Sequence, residues 1–342
     1  MLPISTIDDL DEALSRPTPG VLGTLIQLDG DFMVLGAGGK MGPTLARMVR
    51  RGLDEIGQTQ RRVIAVSRFS SAEAAASLQQ HGVETIACDL MDRTAVNALP
   101  EVPNLIFMAG QKFGTSDAPE LTWVMNTVVP AIVAERFAKS RIVVFSTGCV
   151  YPLMPVNGPG SREGDSLTPP GEYANSCVGR ERVFEHFAKL HRTRVLMFRL
   201  CYAIDLRYGV LMDVAQKVAS GQPVDVSMGY ANVIWQGDAS ARAIQCLAHT
   251  SSPPMALNVT GLERVSIREL AQHFGDKLGR AAVITGIESS TAWIWDAARS
   301  YGLFGPPTVS LDEMIEATAH WLKLGGQTIG KPTHFEVQDG QF

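Results

Sequence analysis

The sequence has few of the features that mark secreted, metal-binding or nucleic-acid-binding proteins. Its 342 residues include only five cysteines, an odd number without a Cys-x-x-Cys pair, which favours reduced thiols over a disulfide framework. The seven histidines show no ligand spacing, so we expect no metal site. With a net charge of −5, the chain has no electrostatic reason to bind nucleic acid or an anionic membrane.

Long apolar runs are also missing. No stretch approaches the ~18 apolar residues that a membrane-spanning helix needs, and the N-terminal MLPISTIDDLDEAL is acidic where a signal peptide would be basic and then apolar. We therefore expect a cytoplasmic protein. The composition, 45% hydrophobic and 19% charged, is typical of a globular protein with an ample core, and the length suggests two domains or one domain with a lobe.

The most specific local pattern is DFMVLGAGGKMGP, residues 31–43. An apolar strand-like run at 32–35 is followed by a turn with Gly36, Gly39 and Gly42, and then by a helical stretch. Glycines at this spacing allow a tight turn and a close approach of the backbone to a pyrophosphate, and the helix N-terminus offers N–H groups to the anion. Because the strand precedes the glycines and the helix follows them, the pattern predicts a dinucleotide site.

Strand-like and helical segments alternate from residue 31 to residue 200. Further apolar strands are predicted at 61–69, 82–90, 104–110, 141–148 and 194–200, with helices between them that include 119–138 and 172–191. Strands rich in β-branched and aromatic residues, separated by helices, indicate a sheet covered on both faces. We therefore predict an α/β Rossmann domain over 31–200, a doubly wound parallel sheet with its ligands at the carboxyl ends of the strands.

The remaining segments predict additions to this domain. Residues 1–30 indicate a helical extension, with Ser5 or Thr6 capping the first helix and Thr18 the second. We interpret it as a cover packed on the sheet rather than a partner-binding arm. Residues 201–325 predict a smaller, mixed substrate-binding lobe. Residues 326–342 are polar and rich in glycine, and they predict an irregular tail.

Several motifs in a fixed order resemble one family. They are GAGGKMG (36–42), CDL (88–90), MAG (108–110), STGCVY (146–151), YANSC (173–177), FRL (198–200), WQGD (235–238) and ALNVTG (256–261). Over residues 31–322 the chain is similar to the extended short-chain dehydrogenase/reductases, the NAD-dependent epimerases and dehydratases of sugar nucleotides such as UDP-galactose 4-epimerase. The resemblance implies a nucleotide domain, a C-terminal substrate lobe and a homodimer.

The same resemblance implies roles for individual residues. Tyr173 corresponds to the catalytic tyrosine, Thr147 to the catalytic serine or threonine, and Asn126 to an asparagine behind the active site. The residues implied in cofactor binding are Gly36, Gly38, Gly39, Lys40, Met41, Gly42, Ser67, Arg68, Asp89, Leu90, Met108, Ala109, Gly110, Lys112, Tyr173 and Cys177. Asp89 would neighbour the adenine, and Lys112 the phosphates or a ribose.

The end of the second strand bears on the choice between NAD and NADP. NAD enzymes place a carboxylate there to accept from the ribose 2′-OH, whereas a 2′-phosphate requires a cation. This chain has Ser67 and Arg68, which favours NADP over NAD. The alternative is that Arg68 stacks on adenine or pairs with Asp89.

One departure from the family concerns proton transfer. The family motif is Tyr-x-x-x-Lys, in which the ammonium lowers the phenol pKa, but here the fourth position is Cys177. A phenol of pKa ~10 is about one part in a thousand ionised at pH 7, so losing the lysine costs up to ~4 kcal/mol of barrier. Arg180 or Lys112 could replace the lysine, and an oxidised nicotinamide is itself positive. Alternatively, Tyr173 could act as a neutral proton donor, or the protein could bind the cofactor without turnover.

The other departures concern the substrate. Gly148 and Cys149 occupy positions where the dehydratases have an Asp-Glu pair, so we do not expect a dehydratase. A mid-helix Cys177 is more often a packed residue than a nucleophile. The residues predicted to face the substrate are Phe113, Tyr151, Tyr202, Arg207 and Tyr208, with a solvated arginine and a packing tyrosine as the alternative for the last two. The leading hypothesis is an NAD(P)-dependent oxidoreductase or epimerase of a sugar-like substrate, and the rival is a cofactor-binding sensor.

Overall fold

The computed structural model describes residues 4–69, 71–112 and 118–340. The β-strands are β1 Phe32–Leu35, β2 Val63–Ser67, β3 Glu84–Ala87, β4 Asn104–Phe107, β5 Arg141–Thr147, β6 Met154–Pro155, β7 Arg194–Leu200, β8 Ala203–Ile204, β9 Pro223–Asp225, β10 Tyr230–Ala231, β11 Ile234–Trp235, β12 Met255–Val259, β13 Val265–Ser266, β14 Val283–Thr285 and β15 Thr291–Ala292.

The α-helices lie mainly between the strands. They are α1 Ile7–Leu14, α2 Pro19–Gln27, α3 Gly42–Glu55, α4 Ala72–Gln80, α5 Arg93–Ala98, α6 Pro119–Trp123, α7 Val129–Arg136, α8 Glu172–His191, α9 Val210–Ser220, α10 Gln236–Gln245, α11 Ile267–Leu278, α12 Ala298–Phe304 and α13 Leu311–Lys323. A π-helical segment, Val124–Val128, joins α6 to α7, and short 3₁₀ turns span Gly148–Val150 and Cys246–His249. No helix within the described ranges is long and apolar enough to cross a membrane.

The main sheet is parallel throughout, with strand order β12-β7-β5-β4-β1-β2-β3. The predicted α/β Rossmann class is confirmed. The strand order reverses between β1 and β4, which is where doubly wound sheets bind their ligands. The strand β12 was not predicted. It comes from residues assigned to the lobe and extends the sheet beyond β7, with Leu257 paired to Phe198.

Helices pack on both faces of this sheet. On one face, α2, α3 and α10 bury Val21, Leu45 and Ile244, and on the other face α7 and α8 bury Val133 and Phe184. Of the two N-terminal helices, only α2 belongs to this packing. While α2 lies against α3 and α10, α1 contributes Leu10 and Leu14 to the core of the lobe.

Side-chain caps define the ends of several helices. Thr6 forms a capping box with Asp9, and Thr18 accepts a hydrogen bond from the Val21 amide. In the lobe, Ser266 and Ser310 accept from the amides three residues on. Satisfying these N–H groups stabilises each helix start by about 1 kcal/mol. The lobe core then forms where α9, α11 and α13 pack together.

The C-terminal segment, residues 326–340, contains neither helix nor strand in its described part, but it is not a loose tail. Thr333 and Phe335 are almost completely buried, at 2% and 1% exposure. The Ile329 amide donates to the Arg207 carbonyl oxygen (3.0 Å), and Trp293 Nε1 donates to the Val337 carbonyl oxygen (3.2 Å). The segment is therefore fixed to the lobe along its length.

Candidate active site

A cleft of about 370 Å³ opens at the carboxyl ends of β1, β4, β5 and β7. Its lining combines the Rossmann domain, the lobe and the C-terminal segment. The lining residues include Gly36, Gly39, Lys40, Met41, Gly42, Met108, Gly110, Lys112, Ser146, Thr147, Cys149, Tyr173, Tyr202, Tyr208, Gln236, Trp295 and Thr333. Most of the residues predicted for cofactor and substrate thus meet in one place.

The glycine turn needs its glycines because the neighbouring backbone lies close. Gly36 has φ +85°, and a Cβ there would lie 2.6 Å from the Ala109 backbone nitrogen. A Cβ on Gly38 would lie 2.6 Å from Ser67 Oγ. A side chain at Gly36 would therefore be strained and would push the turn away from β4. The turn leads directly into α3, which begins at Gly42.

Tyr173 lies in the first turn of α8, after Gly171 with φ +78°, and its side chain lines the cleft. Burial is the main cause that raises the phenol pKa well above 10, followed by the nearby thiols of Cys177 and Cys149. The charge of Arg180 acts in the opposite direction. At neutral pH the phenol is thus protonated and can donate a proton to an oxygen in the cleft.

Thr147 ends β5 on the same cleft. Its Oγ1 accepts a hydrogen bond from the Cys149 amide (3.1 Å) and so caps the 3₁₀ turn that follows. This bond uses an oxygen lone pair, and the O–H proton can still be donated. The Thr147 hydroxyl therefore has a structural role, and the residue lines the same cleft as Tyr173.

Sequence comparison identifies the family. Residues 32–228 match the model of the NAD dependent epimerase/dehydratase family. The chain belongs to this family. The resemblance found in the sequence motifs is confirmed. No curated protein is similar enough in sequence to match the chain.

Solved structures agree with the family fold. An epimerase from Methanothermobacter thermautotrophicus has a TM-score of 0.71 at 17% identity, over 90% of this chain and 96% of that chain. UDP-glucose 4-epimerase from Thermus thermophilus, in complex with NAD, has a TM-score of 0.69 at 17% identity, over 86% and 99%. dTDP-glucose 4,6-dehydratase from Bacillus anthracis, in complex with NAD, has 0.72 at 14%, over 86% and 97%. At these identities the likeness establishes the shared fold.

The asparagine that the epimerase/dehydratase family implies behind the site is a buried anchor. Asn126 lies in the π-helical segment, and π-helical bulges are frequent at functional sites. Its amide group donates to the Gln111 carbonyl oxygen (3.0 Å) and to Ser176 Oγ (2.8 Å) and accepts from the Gln111 amide (3.1 Å). Asn126 therefore fixes the loop after β4 against α8 and does not itself line the cleft.

Arg180 completes this buried network. Its guanidinium donates to the Phe145 carbonyl oxygen (2.7 Å) and to Asn126 Oδ1, and it lies directly against Gly110. A buried arginine with two such partners holds its charge at a fixed position. A positive charge is thus present one helical turn beyond the position of the missing lysine.

Cys177, one of the residues predicted to bind the cofactor, does not line the cleft. Its side chain is fully buried in an apolar cluster with Val150, Trp293 and Ile294. Burial raises the pKa of the thiol, so the group is protonated and a poor nucleophile. The interpretation as a small packed residue is the one that fits.

Two residues predicted to face the substrate point elsewhere. Tyr151 is completely buried and donates to Asn258 Oδ1 (2.8 Å). Arg207 forms ion pairs with Asp205 (2.8 Å) and Asp11 (3.0 Å), which link the lobe to α1. Both assignments were wrong, since neither side chain lines the cleft.

Of the other three residues predicted to face the substrate, two line the cleft and one lies outside the described residues. Tyr202 and Tyr208 line the cleft, and Tyr202 adopts φ +41°, an unusual value for a tyrosine. Lys40 lies over the Tyr208 ring, 3.1 Å from its centroid. Burial is the main cause that lowers the Lys40 pKa to about 8, followed by repulsion from Lys112. The prediction for Phe113 lies outside the described residues.

The residues predicted around the adenine lie at the adjoining edge of the sheet. Ser67 ends β2, and Arg68 after it is exposed. Asp89 is also exposed and accepts a hydrogen bond from the Met91 amide (3.0 Å), whereas Leu90 is buried. Neither Arg68 nor Asp89 lines the cleft, because the strands that they follow, β2 and β3, lie beyond β1 toward the edge of the sheet.

Two of the lining residues that sequence reasoning missed are Trp295 and Thr333. Trp295 donates from Nε1 to the Gly148 carbonyl oxygen (2.9 Å), and its ring lies edge-on to Tyr202 with centroids 5.5 Å apart. Thr333 reaches the cleft from the C-terminal segment. Both come from stretches without regular periodicity, so no local pattern indicated them.

Proposed function

We propose that this protein is an NAD(P)-dependent oxidoreductase or epimerase that acts on a sugar or a sugar-derived substrate. One observation carries the proposal. A single cleft is lined by the glycine turn at Gly36, Gly39 and Gly42 and by Tyr173 and Thr147, so a cofactor on the turn and a proton donor for the substrate would share one site. The solved sugar epimerase and dehydratase with the same fold contain NAD.

The residues present fit a dinucleotide. Gly36, with its positive φ, packs closely against the backbone of Ala109, and Gly38 and Gly39 leave the turn before α3 without side chains at these positions, which suits a pyrophosphate. The residues proposed to hold the cofactor are those of the turn, Ser67, Arg68, Asp89, Leu90, Met108, Ala109, Gly110 and Lys112. A bound nicotinamide supplies hydride exchange with a carbinol carbon of the substrate.

Tyr173 is proposed as the proton donor and Thr147 as a second hydrogen-bond donor to the same substrate oxygen. Since burial keeps the phenol protonated, reduction of a carbonyl group is the direction in which Tyr173 needs no activation. Alcohol oxidation requires the phenolate, and the charge of Arg180 favours that form. We therefore propose that Arg180 replaces the lysine of the family motif.

The proposal is tested first at the glycine turn. We expect Gly36→Ala to weaken NADH or NADPH binding by about 100-fold, because strain and the clash with Ala109 displace the turn. Binding is measured by fluorescence titration of the purified protein. Gly57→Ala is the matched control, since Gly57 also has positive φ (+72°) but would contact nothing within 4 Å. Wild-type protein that binds neither nucleotide would contradict the proposal.

The preference for NADP is a separate proposal that depends on Arg68. We expect Arg68→Ala to weaken NADPH binding by about 5- to 10-fold and to leave NADH binding unchanged, because only NADPH has the 2′-phosphate. Arg62→Ala is the control, since Arg62 is a half-exposed arginine of the same region that pairs with Glu84. Tighter binding of NADH by the wild type would reverse this assignment.

The alternative is a cofactor-binding sensor without turnover. The raised pKa of Tyr173 and the absence of a lysine at Cys177 favour it.

We also propose a cytoplasmic homodimer. Free, buried cysteines suit a reducing compartment. The exposed apolar side chains Leu121, Trp123 and Val128 on one helical stretch offer a surface for a second copy.

A further inference from the structure

The C-terminal segment is attached to both sides of the cleft. On the lobe side, Thr333 donates from its amide and from Oγ1 to Asp213 Oδ2 (2.8 and 2.5 Å). On the Rossmann side, the Thr333 carbonyl oxygen accepts from Lys112 Nζ (3.4 Å). One residue of an irregular segment thus joins α9 to the loop after β4.

Further contacts keep Thr333 in place. Phe335 next to it is buried in the core of the lobe, and its amide donates to Thr333 Oγ1 (3.3 Å). Beyond it, Gln338 Nε2 donates to the Ser227 carbonyl oxygen (3.1 Å), and Gly340 packs on Gly171 just before the helix of Tyr173. The position of the carbonyl oxygen is therefore set by the lobe and not by the loop that it contacts.

The Thr333 carbonyl oxygen is a polar partner of the Lys112 ammonium group. Asn126 fixes the backbone at Gln111, but the four-carbon side chain of the next residue remains flexible unless its ammonium group is held. The ammonium lies in the cleft with Lys40, whose like charge repels it, while Asp213 attracts it. Burial is the main cause that lowers the pKa of Lys112.

We propose that Thr333 is a positioning residue of the active site, and that its carbonyl oxygen holds the ammonium group of Lys112 in the cleft. The inference rests on the proposed function in treating the cleft as the active site. It assigns a role in that site to a segment that lies outside the matched family region. Lys112 is the group that acts on the ligand, and Thr333 acts through it.

The test follows Lys112 itself in the full-length protein. After reductive ¹³C-methylation, NMR reports the pKa of each lysine, and the spectrum of Lys112→Gln assigns the signal. We expect Thr333→Gly to raise the pKa of Lys112 toward its ordinary value, because loss of the Asp213 anchor and a more flexible backbone release the ammonium into water. Thr333→Ser keeps the hydroxyl and should restore the wild-type value.

Gln338→Gly is the matched control, since it loosens the same segment at a contact remote from Lys112. Should Thr333→Gly fail to fold, Thr333→Val, which keeps the volume without the hydroxyl, gives the same comparison. An unchanged Lys112 pKa in the folded Thr333 variant would overturn the proposal, whether or not the protein binds a nucleotide.

Cofactor affinity gives a second readout that separates this inference from the proposed function. We expect Thr333→Gly and Lys112→Met each to weaken NADPH binding by about tenfold, and the double variant to bind no worse than the single ones. Losses that multiply would show that Thr333 does not act through Lys112. Absence of nucleotide binding in the wild type would refute the proposed function alone, because the NMR result still decides this inference.

Discussion

Replacing Tyr173 by phenylalanine is expected to lower kcat by about 10²- to 10⁴-fold, the usual contribution of a positioned acid or base. The phenol is protonated and lines the same cleft as Thr147. Nicotinamide absorbance measures the rate with a sugar-like carbonyl substrate, and fluorescence titration measures cofactor affinity, which should change less than about twofold.

The controls for this prediction come from the same chain. Tyr301→Phe removes a phenol that accepts from the Leu262 amide and lies outside the cleft, so its turnover should equal that of the wild type. Because the Tyr173 pKa is raised, the phenol stays protonated near neutral pH, and the reduction rate should not fall as the pH rises through neutrality. Oxidation requires the phenolate, so the oxidation rate should increase over the same pH range. Equal turnover of Tyr173→Phe and the wild type would remove Tyr173 from the mechanism, and no turnover in either protein would favour the sensor.

Replacing Arg199 by methionine is expected to lower the free energy of unfolding by about 3–5 kcal/mol. Arg199 and Glu181 form a buried bidentate ion pair (2.7 and 3.0 Å), and Glu181 is completely inaccessible. Removing the cation leaves a buried carboxylate without its main partner. Urea denaturation of the purified variant measures the loss.

Two further variants test whether the loss of this ion pair causes the lower free energy of unfolding. Arg199→Met combined with Glu181→Gln removes both charges and should recover much of the lost stability. Arg93→Met breaks an exposed pair with Glu135, both side chains being about 60% exposed, and should cost less than about 1 kcal/mol. A loss in Arg199→Met no larger than that in Arg93→Met would contradict the assignment.

This ion pair also supports the site. Ser146 Oγ donates to Glu181 (2.5 Å), and Ser146 is followed by Thr147 at the end of β5. Arg199 donates to Tyr151 Oη (2.5 Å), the residue that had been assigned to the substrate. Tyr151 is therefore part of a buried hydrogen-bonded network with Arg199 and Asn258.

The parts of the fold with a regular pattern were predictable. The helix at 172–191 and the strand at 194–200 have the predicted bounds, because apolar periodicity and continuous β-branched runs encode them directly. The strand β12 was missed because it comes after residue 200, where the regular alternation of strands and helices ends. The glycine turn was predictable because the tight turn between β1 and α3 requires glycines at this spacing.

Side-chain direction could not be predicted. Tyr151 and Arg207 occupy plausible positions near strand ends, and only tertiary contacts turn one inward and pair the other with Asp11. Arg180 could be predicted as a candidate replacement for the lysine, because it lies seven residues after Tyr173 on the same helix face. Thr333 had no such signal, since an irregular segment is positioned by its partners and not by a repeat.

The contribution of Thr333 to the cleft has a consequence for synthesis of the protein. A chain that has emerged from the ribosome as far as β7 holds the glycine turn, Thr147 and Tyr173, but not the carbonyl oxygen that contacts Lys112. Domains generally fold in order during translation. The complete lining of the cleft, with the contact between Lys112 and Thr333, can therefore form only after residue 333 has left the exit tunnel.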